Sequence, residues 1–542
     1  MNFFWLNQPV EKFRNRIGTM SYTFLVLCST TTQATATKMA ADGRFLKAGF
    51  FEMRNLSPEQ TLTPCRISVV NGSHNKDGCR SAHFTDLPDH LILHVLSFLS
   101  ITDAIKLSAV SRKFRFSWNF LSNLDFDQRA FPGPNNPRLY ADFVDGSLIL
   151  FAAATLNSFH LWFDYEHLYS SHVDSWVLFA VRKNVETLQL RLSGYRRSYG
   201  IHEGNPYHFP LALVSHGRLG VLNLCYCSLD STPQLSFPHL KSIFLNDVKM
   251  SDEAIPDLVS GCPLLEELSV DYCYTVQHLK IVSPRLKKLE LMHYQRSNSS
   301  VEISAPNLVT FSCLHYVAEK YEFRDLGSLL HAIVYFMDTE ELLPRWRIVL
   351  GFLKHAKNIQ LLNWWNPDLA QDRSKEINML LNAHCLELKT GNTKMEIFGI
   401  VDFLRIAPDV TTLILDIINT EAVNKKEDND VSDHDVFGVN FPLRLLDCNK
   451  NNLQRSYGER CGEELRGCLR NLKIVIVRWF VGSENELELL KYLLRHGVVL
   501  EKISLLSAKP RLQFGTEQLS SETLRSLQDF GRSFPNVEIS LA

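Results

Sequence analysis

Residues able to do chemistry are scattered along this chain, and none of the sets they form is complete. Cys461 and Cys468 flank Glu463 and Glu464. A thiolate nucleophile there needs a base that the local sequence does not supply. His202 and Glu203 stand side by side, without the second histidine that the H-E-x-x-H metal helix uses. Cys225 and Cys227 offer two soft ligands, whereas a structural zinc site takes four. The stretch Glu421 to Asp435 has D-x-D and D-x-x-D spacings, yet it lacks the glycine and terminal glutamate of a calcium loop. There is no phosphate-cradling glycine loop and no G-x-S-x-G elbow. No residue is therefore assigned a catalytic role, and neither a metal nor another cofactor is expected.

With no reacting centre to position, the elements themselves carry the reading. Of the 542 residues, 45% are hydrophobic and 21% charged, with a formal net charge of −2. That balance belongs to a folded soluble protein and offers no electrostatic footprint for nucleic acid. No apolar run approaches the length of a membrane span. The twelve cysteines form no C-x-x-C pair, so reduced, mostly buried thiols in nucleus or cytoplasm are expected rather than a disulfide framework. In residues 1–80, Lys12, Arg14 and Arg16 precede a short apolar stretch from Tyr22 to Cys28. This segment is expected to be a disordered tail rather than a cleaved signal or transit peptide.

Residues 84–126 read as three short amphipathic helices. Pro88 suits the first helical position, and Leu91, Val95, Leu96 and Leu99 then recur at helical spacing. Ser100 or Thr102 can cap a second helix carrying Ile105 and Val110, and Ser111 a third carrying Phe114, Trp118 and Leu121. So short a span cannot bury that surface alone, which predicts a partner. The residues also resemble an F-box. The likeness rests on Leu87-Pro88-Asp89, the run Leu96 to Leu99, and Val-Ser-Arg-x-Phe-x-x-x-Trp ending at Trp118. Leu124-Asp125-Phe126-Asp127 is similar to the plant branch.

The resemblance implies docking on a Skp-family adaptor and, through it, on a cullin of a ubiquitin ligase. The adaptor-binding residues would be Leu87, Pro88, Leu91, Ile92, Val95, Leu96, Ile105, Leu107, Val110 and Trp118. His90, Ser100 and Phe114 depart from the common acidic, proline and tryptophan residues without removing the apolar face.

Downstream, the pattern apolar-x-x-apolar-x-apolar returns. It occurs at Val185/Leu188/Leu190, Leu219/Leu222/Leu224, Leu240/Ile243/Leu245, Leu265/Leu268/Val270, Val276/Leu279/Ile281, Leu286/Leu289/Leu291 and Leu308/Phe311/Cys313. It recurs at Val410/Leu413/Leu415, Leu472/Val475/Val477 and Leu500/Ile503/Leu505. This is the leucine-rich-repeat signature, with the second and third apolar residues pointing into a shared core. Cys227 and Cys273 fall at the repeat's Asn/Cys position, where a small polar group satisfies backbone at the turn. The uneven spacing of these strands predicts a degenerate array with an insertion over Ser193 to His216 and a compressed segment between Leu265 and Leu286.

Two helices are expected near Leu326 to Phe336 and Trp346 to His355. Strand, turn, helix and strand are expected over Leu469 to Leu506, with Leu487, Leu490, Leu493 and Leu494 on one helical face. FPHLKSIFLNDVKMSD and SGCPLLEELSV resemble plant F-box/LRR proteins, and Leu469 to Leu506 resembles their terminal FBD domain.

The expected fold is α/β: a small three-helix F-box, then a degenerate leucine-rich-repeat solenoid with a curved parallel sheet. The boundaries are a tail over 1–80, the F-box over 81–127, repeats over 128–420, an acidic flexible insertion over 421–438 and an FBD-like capping region over 439–542. The resemblance implies a target-recognition subunit that binds an unknown protein through the concave face. Its outward residues are Gln189, Arg191, Asn223, Phe244, Asn246, Glu267, Asp271, Lys288 and Glu290. A small-molecule (hormone) co-receptor, or an F-box scaffold not engaged in ubiquitination, are the alternatives.

Overall fold

The structure is a computed structural model that describes residues 88–108, 116–131, 136–193, 195–196, 202–215, 217–231, 235–273, 275–292, 299–315, 320–336, 351–362, 381–390, 400, 403–417, 469–507 and 521–541. The expectations for the tail, Leu87, Val110, Phe114, the acidic stretch, Cys461 and Cys468 fall outside these residues. The chain divides into two compact units, Met1–Leu229 with Leu235–Leu240, and Asp230–Gln234 with Lys241–Ala542.

In the first unit, α1 (Asp89–Leu96) starts one residue later than expected. Pro88 is its cap, in extended conformation, and its carbonyl accepts from the N–H groups of Leu91 and Ile92 at 3.0 and 3.1 Å. Ser100 Oγ accepts from Asp103 N–H at 3.1 Å at the start of α2 (Ile101–Ser108). Of the expected third helix, the described part is a 3-10 turn, Ser117–Phe120, followed at once by β1 (Asn123–Asp127).

β1 pairs in parallel with β2 (Ser158–Asp164), β2 with β3 (Thr187–Ser193) and β3 with β4 (Val221–Cys225). Leu124 and Phe126 are thus the first core residues of a sheet rather than the end of a helical bundle. The cause is local, since Leu121/Leu124/Phe126 and Leu156/Phe159/Leu161 are both repeat hexads with buried apolar positions. Each carries an aromatic residue in a slot that is mostly aliphatic elsewhere.

The crossovers are α3 (Pro137–Leu150), capped by Asn136 with Pro137 at the first helical position, and α4 (Ser170–Arg182). Asp145 ties them together, accepting from Trp176 Nε1 at 2.6 Å and facing His172 Nδ1 at 2.8 Å. Tyr140, Phe163 and Trp176 fill the space beneath the sheet. The helical module is bonded to this body through the main chain. Buried Asn119 accepts at its carbonyl from the N–H groups of Ala152 and Ala153 at 2.9 and 3.1 Å.

The second unit is built on a parallel ladder of β5 (Ser242–Asn246), β6 (Glu267–Asp271), β8 (Lys288–Met292), β10 (Thr310–His315), β12 (His331–Phe336) and β13 (Asn358–Leu362). It continues through β14 (Cys385–Thr390), β15 (Thr412–Ile417), β16 (Ile474–Phe480), β17 (Lys502–Ser507) and β18 (Glu538–Leu541). Three strands leave this ladder. β7 (His278–Val282), β9 (Ser300–Ser304) and β11 (Lys320–Arg324) form a second parallel sheet of their own.

This resolves the compressed spacing. The hexad at Val276 is the return strand between two ladder strands, and the ladder itself keeps steps of 25 residues from Ser242 to Glu267 and 21 from Glu267 to Lys288. Leu279, Ile281, Val301 and Ile303 turn inward from the return sheet, while Lys280, Glu302 and Arg324 pair outside it.

The expected helix at Leu326 to Phe336 is instead strand β12. Its hexad is Leu329/Ala332/Val334, with all three buried, and the small Ala332 in an aliphatic slot left an apolar run that periodicity alone cannot assign. Ala356/Ile359/Leu361 and Ala383/Leu386/Leu388 are buried in the same pattern. Residues 351–353 are helical, within the second helix expected there. Cys227 and Cys273 are fully buried, and their thiols lie near the carbonyls of Cys225 and Asp271 at 3.6 and 3.3 Å. Both therefore occupy the structural role their position implied.

Helix α5 (Ala254–Ser260) follows β5, and over Leu469 to Leu506 the order is β16, α6 (Glu484–His496) and β17, with α7 (Ser521–Ser533) and β18 continuing it. A capping box opens α6, with Ser483 and Glu486 serving each other's backbone N–H groups. Leu489, rather than Leu487, joins Leu490, Leu493 and Leu494 in the core.

Candidate functional site

Two surfaces hold the residues singled out by sequence. The first is the helical module. Ile92 and Leu96 on α1, Ala104 on α2 and Trp118 on the 3-10 turn are buried against one another's elements. Of the expected docking residues, Ile92, Leu96 and Trp118 are thus supports. Val95, Ile105 and Leu107 are half-buried, and Leu91 is 40% exposed. Three aromatic side chains outside the expected docking set are also open to solvent: Phe98 (43%), Phe116 (59%) and Phe120 (53%). Phe116 lies between the pattern's named positions and Phe120 beyond its last one, so the motif singles out neither. Phe98 packs edge-on to His94 at 4.9 Å.

The second surface is the outward face of the parallel ladders. Strand register places its residues in rows. In the first unit one row runs Asp125, His160, Gln189, Asn223 and the next runs Asp127, Trp162, Arg191, Cys225. In the second unit Phe244, Ser269 and Glu290 share a row, as do Asn246, Asp271 and Met292. Register therefore assembles the expected target-facing residues within each unit. Asp271 departs from expectation: it is only 7% exposed and accepts from Asn246 Nδ2 at 2.7 Å, so it holds the sheet end together. Lys288 Nζ bridges Glu267 and Glu290 at 2.8 and 2.9 Å.

Further along the same ladder lies a charged group that the sequence did not disclose. Arg478 Nη1 donates to Glu387 at 2.7 Å and sits 3.4 Å from Asp416, while Lys389 is 4.0 Å from Asp416. Burial raises the carboxyl pKa of Asp416, and Arg478 opposes that rise. In the first unit, burial lowers the pKa of His160, partly offset by Asp125. The thiol of Cys313 is pushed up to about 11 and that of Cys262 to about 12, both by burial, which suits packing rather than nucleophilic attack.

His202–Glu203 forms a two-residue strand paired antiparallel with Tyr195–Arg196. A cleft of about 400 Å³ is lined by His384, Asp409, Thr411, Arg470, Asn471, Lys473 and Val499. Those residues precede strands β14 to β17 and do not belong to the outward rows. Among the described residues, no group of three or more His, Cys, Asp or Glu side chains is arranged to hold a metal ion.

A family model described as the At1g61320/AtMIF1 LRR domain matches residues 153–523, and the F-box domain model matches residues 84–125. Curated proteins of Arabidopsis thaliana are similar. F-box/FBD/LRR-repeat protein At1g13570 is 34% identical over 38% of this chain and 48% of its own length. Putative F-box/LRR-repeat protein At5g02930 is 30% identical over 46% and 51%. Putative F-box protein At1g49610 is 27% identical over 62% and 85%. The matched part of the chain thus spans about half the length of the first two relatives.

Proposed function

We propose that this chain, which belongs to the F-box/leucine-rich-repeat family, is the target-recognition subunit of a cullin-based ubiquitin ligase. The helical module would dock on a Skp-family adaptor, and the outward rows of the repeat sheets would hold a target protein. The observation that carries the reading is the pairing of two unlike surfaces in one chain. A small helical module leaves Leu91, Phe98, Phe116 and Phe120 in solvent, an apolar display that a monomer has reason to cover. The sheets instead present mixed polar, charged and aromatic rows, the composition of a protein-binding face.

In such an assembly the chain's contribution to rate is proximity. It performs no bond-making step and holds a target lysine near a loaded conjugating enzyme, raising the effective concentration of the two. The main-chain bonds from Asn119 to Ala152 and Ala153 suit that task, because they stop the module from swinging freely on the first strands. The site of action proposed is nucleus or cytoplasm, and a fluorescent fusion of the full chain tests it.

The functional test compares cells expressing the wild-type chain with cells expressing Leu91→Asp/Phe98→Ser. At least one protein that binds both versions should be short-lived with the wild type and stabilised with the variant, in a proteasome-dependent way. Equal lifetimes for every shared binding protein would leave a scaffold without a role in ubiquitination.

A further inference from the structure

On the outward rows described above, the cations are almost all neutralised by neighbours. Lys288 lies between Glu267 and Glu290, Lys389 faces Asp416, Arg478 binds Glu387, and Lys502 meets Glu538 at 2.8 Å. Arg191 on β3 is the exception among the described residues. It is exposed, and no carboxylate among the described residues lies within ion-pair reach. Its hydrogen-bond partner is the neutral amide of Gln189, whose oxygen, turned toward it, accepts from Nε at 2.6 Å.

Beside Arg191 on β2, the Trp162 ring carries a second guanidinium. Arg129 lies 3.6 Å from the ring centroid and Arg191 5.6 Å from it. The two arginines differ in one respect. Arg129 is held by both oxygens of Asp127, at 2.9 Å through Nε and 2.7 Å through Nη2, so its charge is spent within the chain. The charge of Arg191 is not. His160, across the register from Gln189, adds no competing cation, because burial lowers its pKa and favours its neutral form.

We propose that the target protein docks on this ledge through an acidic side chain seated on Arg191, with the half-buried Trp162 ring as its apolar floor. A planar guanidinium with open donors matches a carboxylate in two-pronged fashion. The indole, its centroid 5.6 Å from the Arg191 guanidinium, flanks that fork and shields it from water on one side. Asn223, next to Gln189 in the row, adds a neutral donor and acceptor at the rim. The ledge therefore selects an acidic docking segment, not a basic or purely apolar one. This inference rests on the reading of the outward face as the target-binding surface.

The test uses the purified full chain and a random dodecapeptide library displayed on phage. Enriched peptides should share an Asp or Glu at a fixed position. Changing that residue to its amide, or making Arg191→Gln, should each weaken binding about tenfold, the loss of one charge-assisted pair. The two changes together should cost no more than either alone. Arg191→Lys should recover only part of the affinity.

Enrichment of no peptide, or of peptides without a fixed acidic position, overturns the proposal, as does an unchanged affinity in Arg191→Gln. Peptides lost on Phe244→Ala or Lys288→Ala but indifferent to Arg191 leave the outward face standing and remove only the acidic anchor. Peptides indifferent to all three changes remove the face itself. Unchanged thermal unfolding of each variant separates a lost contact from a lost fold.

Discussion

At the scale of single residues, the chain sorts its side chains by whether their charge or apolar surface is already used. Ile92, Leu96 and Trp118 are spent on holding the helical module together, so a polar change there should unfold the module rather than merely uncouple a partner. Leu91 and Phe98 are exposed, and Leu91→Asp/Phe98→Ser should leave the circular dichroism spectrum and thermal midpoint unchanged. That contrast separates docking from support.

His160 makes a second prediction. Burial holds its pKa below the ordinary 6.5, so the unfolded chain takes up a proton more readily than the folded one. Stability must then fall as pH drops below about 6.5 and level off once the folded-state value is passed. His160→Gln should flatten part of that acid-side loss in denaturant titrations at a series of pH values, and an unchanged slope would count against it.

At the scale of elements, one hexad is repeated with tolerance for its filler. Each ladder strand except the last, β18, buries two or three apolar side chains, at roughly 1.5–3 kcal/mol for each large one. Leu291→Ala on β8, at a position 1% exposed, should cost about 2–5 kcal/mol by equilibrium unfolding. Ser483→Ala, which removes one arm of the capping box on α6, should cost about 1 kcal/mol.

The same repetition explains what was legible in the sequence. Strands with leucine, isoleucine or valine in all three slots were read directly, as at Leu240/Ile243/Leu245. Leu308/Phe311/Cys313 is legible too, but Leu329/Ala332/Val334 and Leu156/Phe159/Leu161, with alanine or phenylalanine in the middle slot, do not stand out. The core accepts any apolar group that fills its layer once neighbours adjust, and a pattern search for aliphatics does not. Nor could one-dimensional spacing show that the Val276 hexad belongs to a second sheet, since the two ladders use the same local code.

The β16 strand carries a different departure. Val475 and Val477 point inward, and strict alternation would send residue 479 inward too. The register instead shifts between Arg478 and Phe480, Trp479 adopts φ 63, and Phe480 is the one buried. The bulge keeps the core filled with Phe480 and leaves Trp479 53% exposed.

At the scale of the molecule, each unit is a stack in which a strand rests mainly on its two neighbours. Protection against hydrogen exchange should accordingly be greatest in the middle of a ladder and least at an open edge. In the second unit, residues Leu289 to Leu291 should exchange far more slowly than Glu538 to Leu541, the last strand, whose side chains are exposed or half-buried. The charged rows were unreadable for a related reason. Glu387, Asp416 and Arg478 are far apart along the chain, the outer pair by 91 positions, and only the stacking order makes them neighbours. Residues on one strand, such as Gln189 and Arg191, needed no such knowledge and were found from alternation alone.

The function proposed for this chain depends on its helical module serving as a docking handle for a Skp-family adaptor. The most direct measurement is titration calorimetry of the purified full chain against such an adaptor, with Leu91→Asp/Phe98→Ser alongside. The wild type should show saturable one-to-one binding, and the variant, still folded, no detectable heat. Absence of binding by the wild-type chain to any Skp-family adaptor, or equal affinity in the variant, would contradict it.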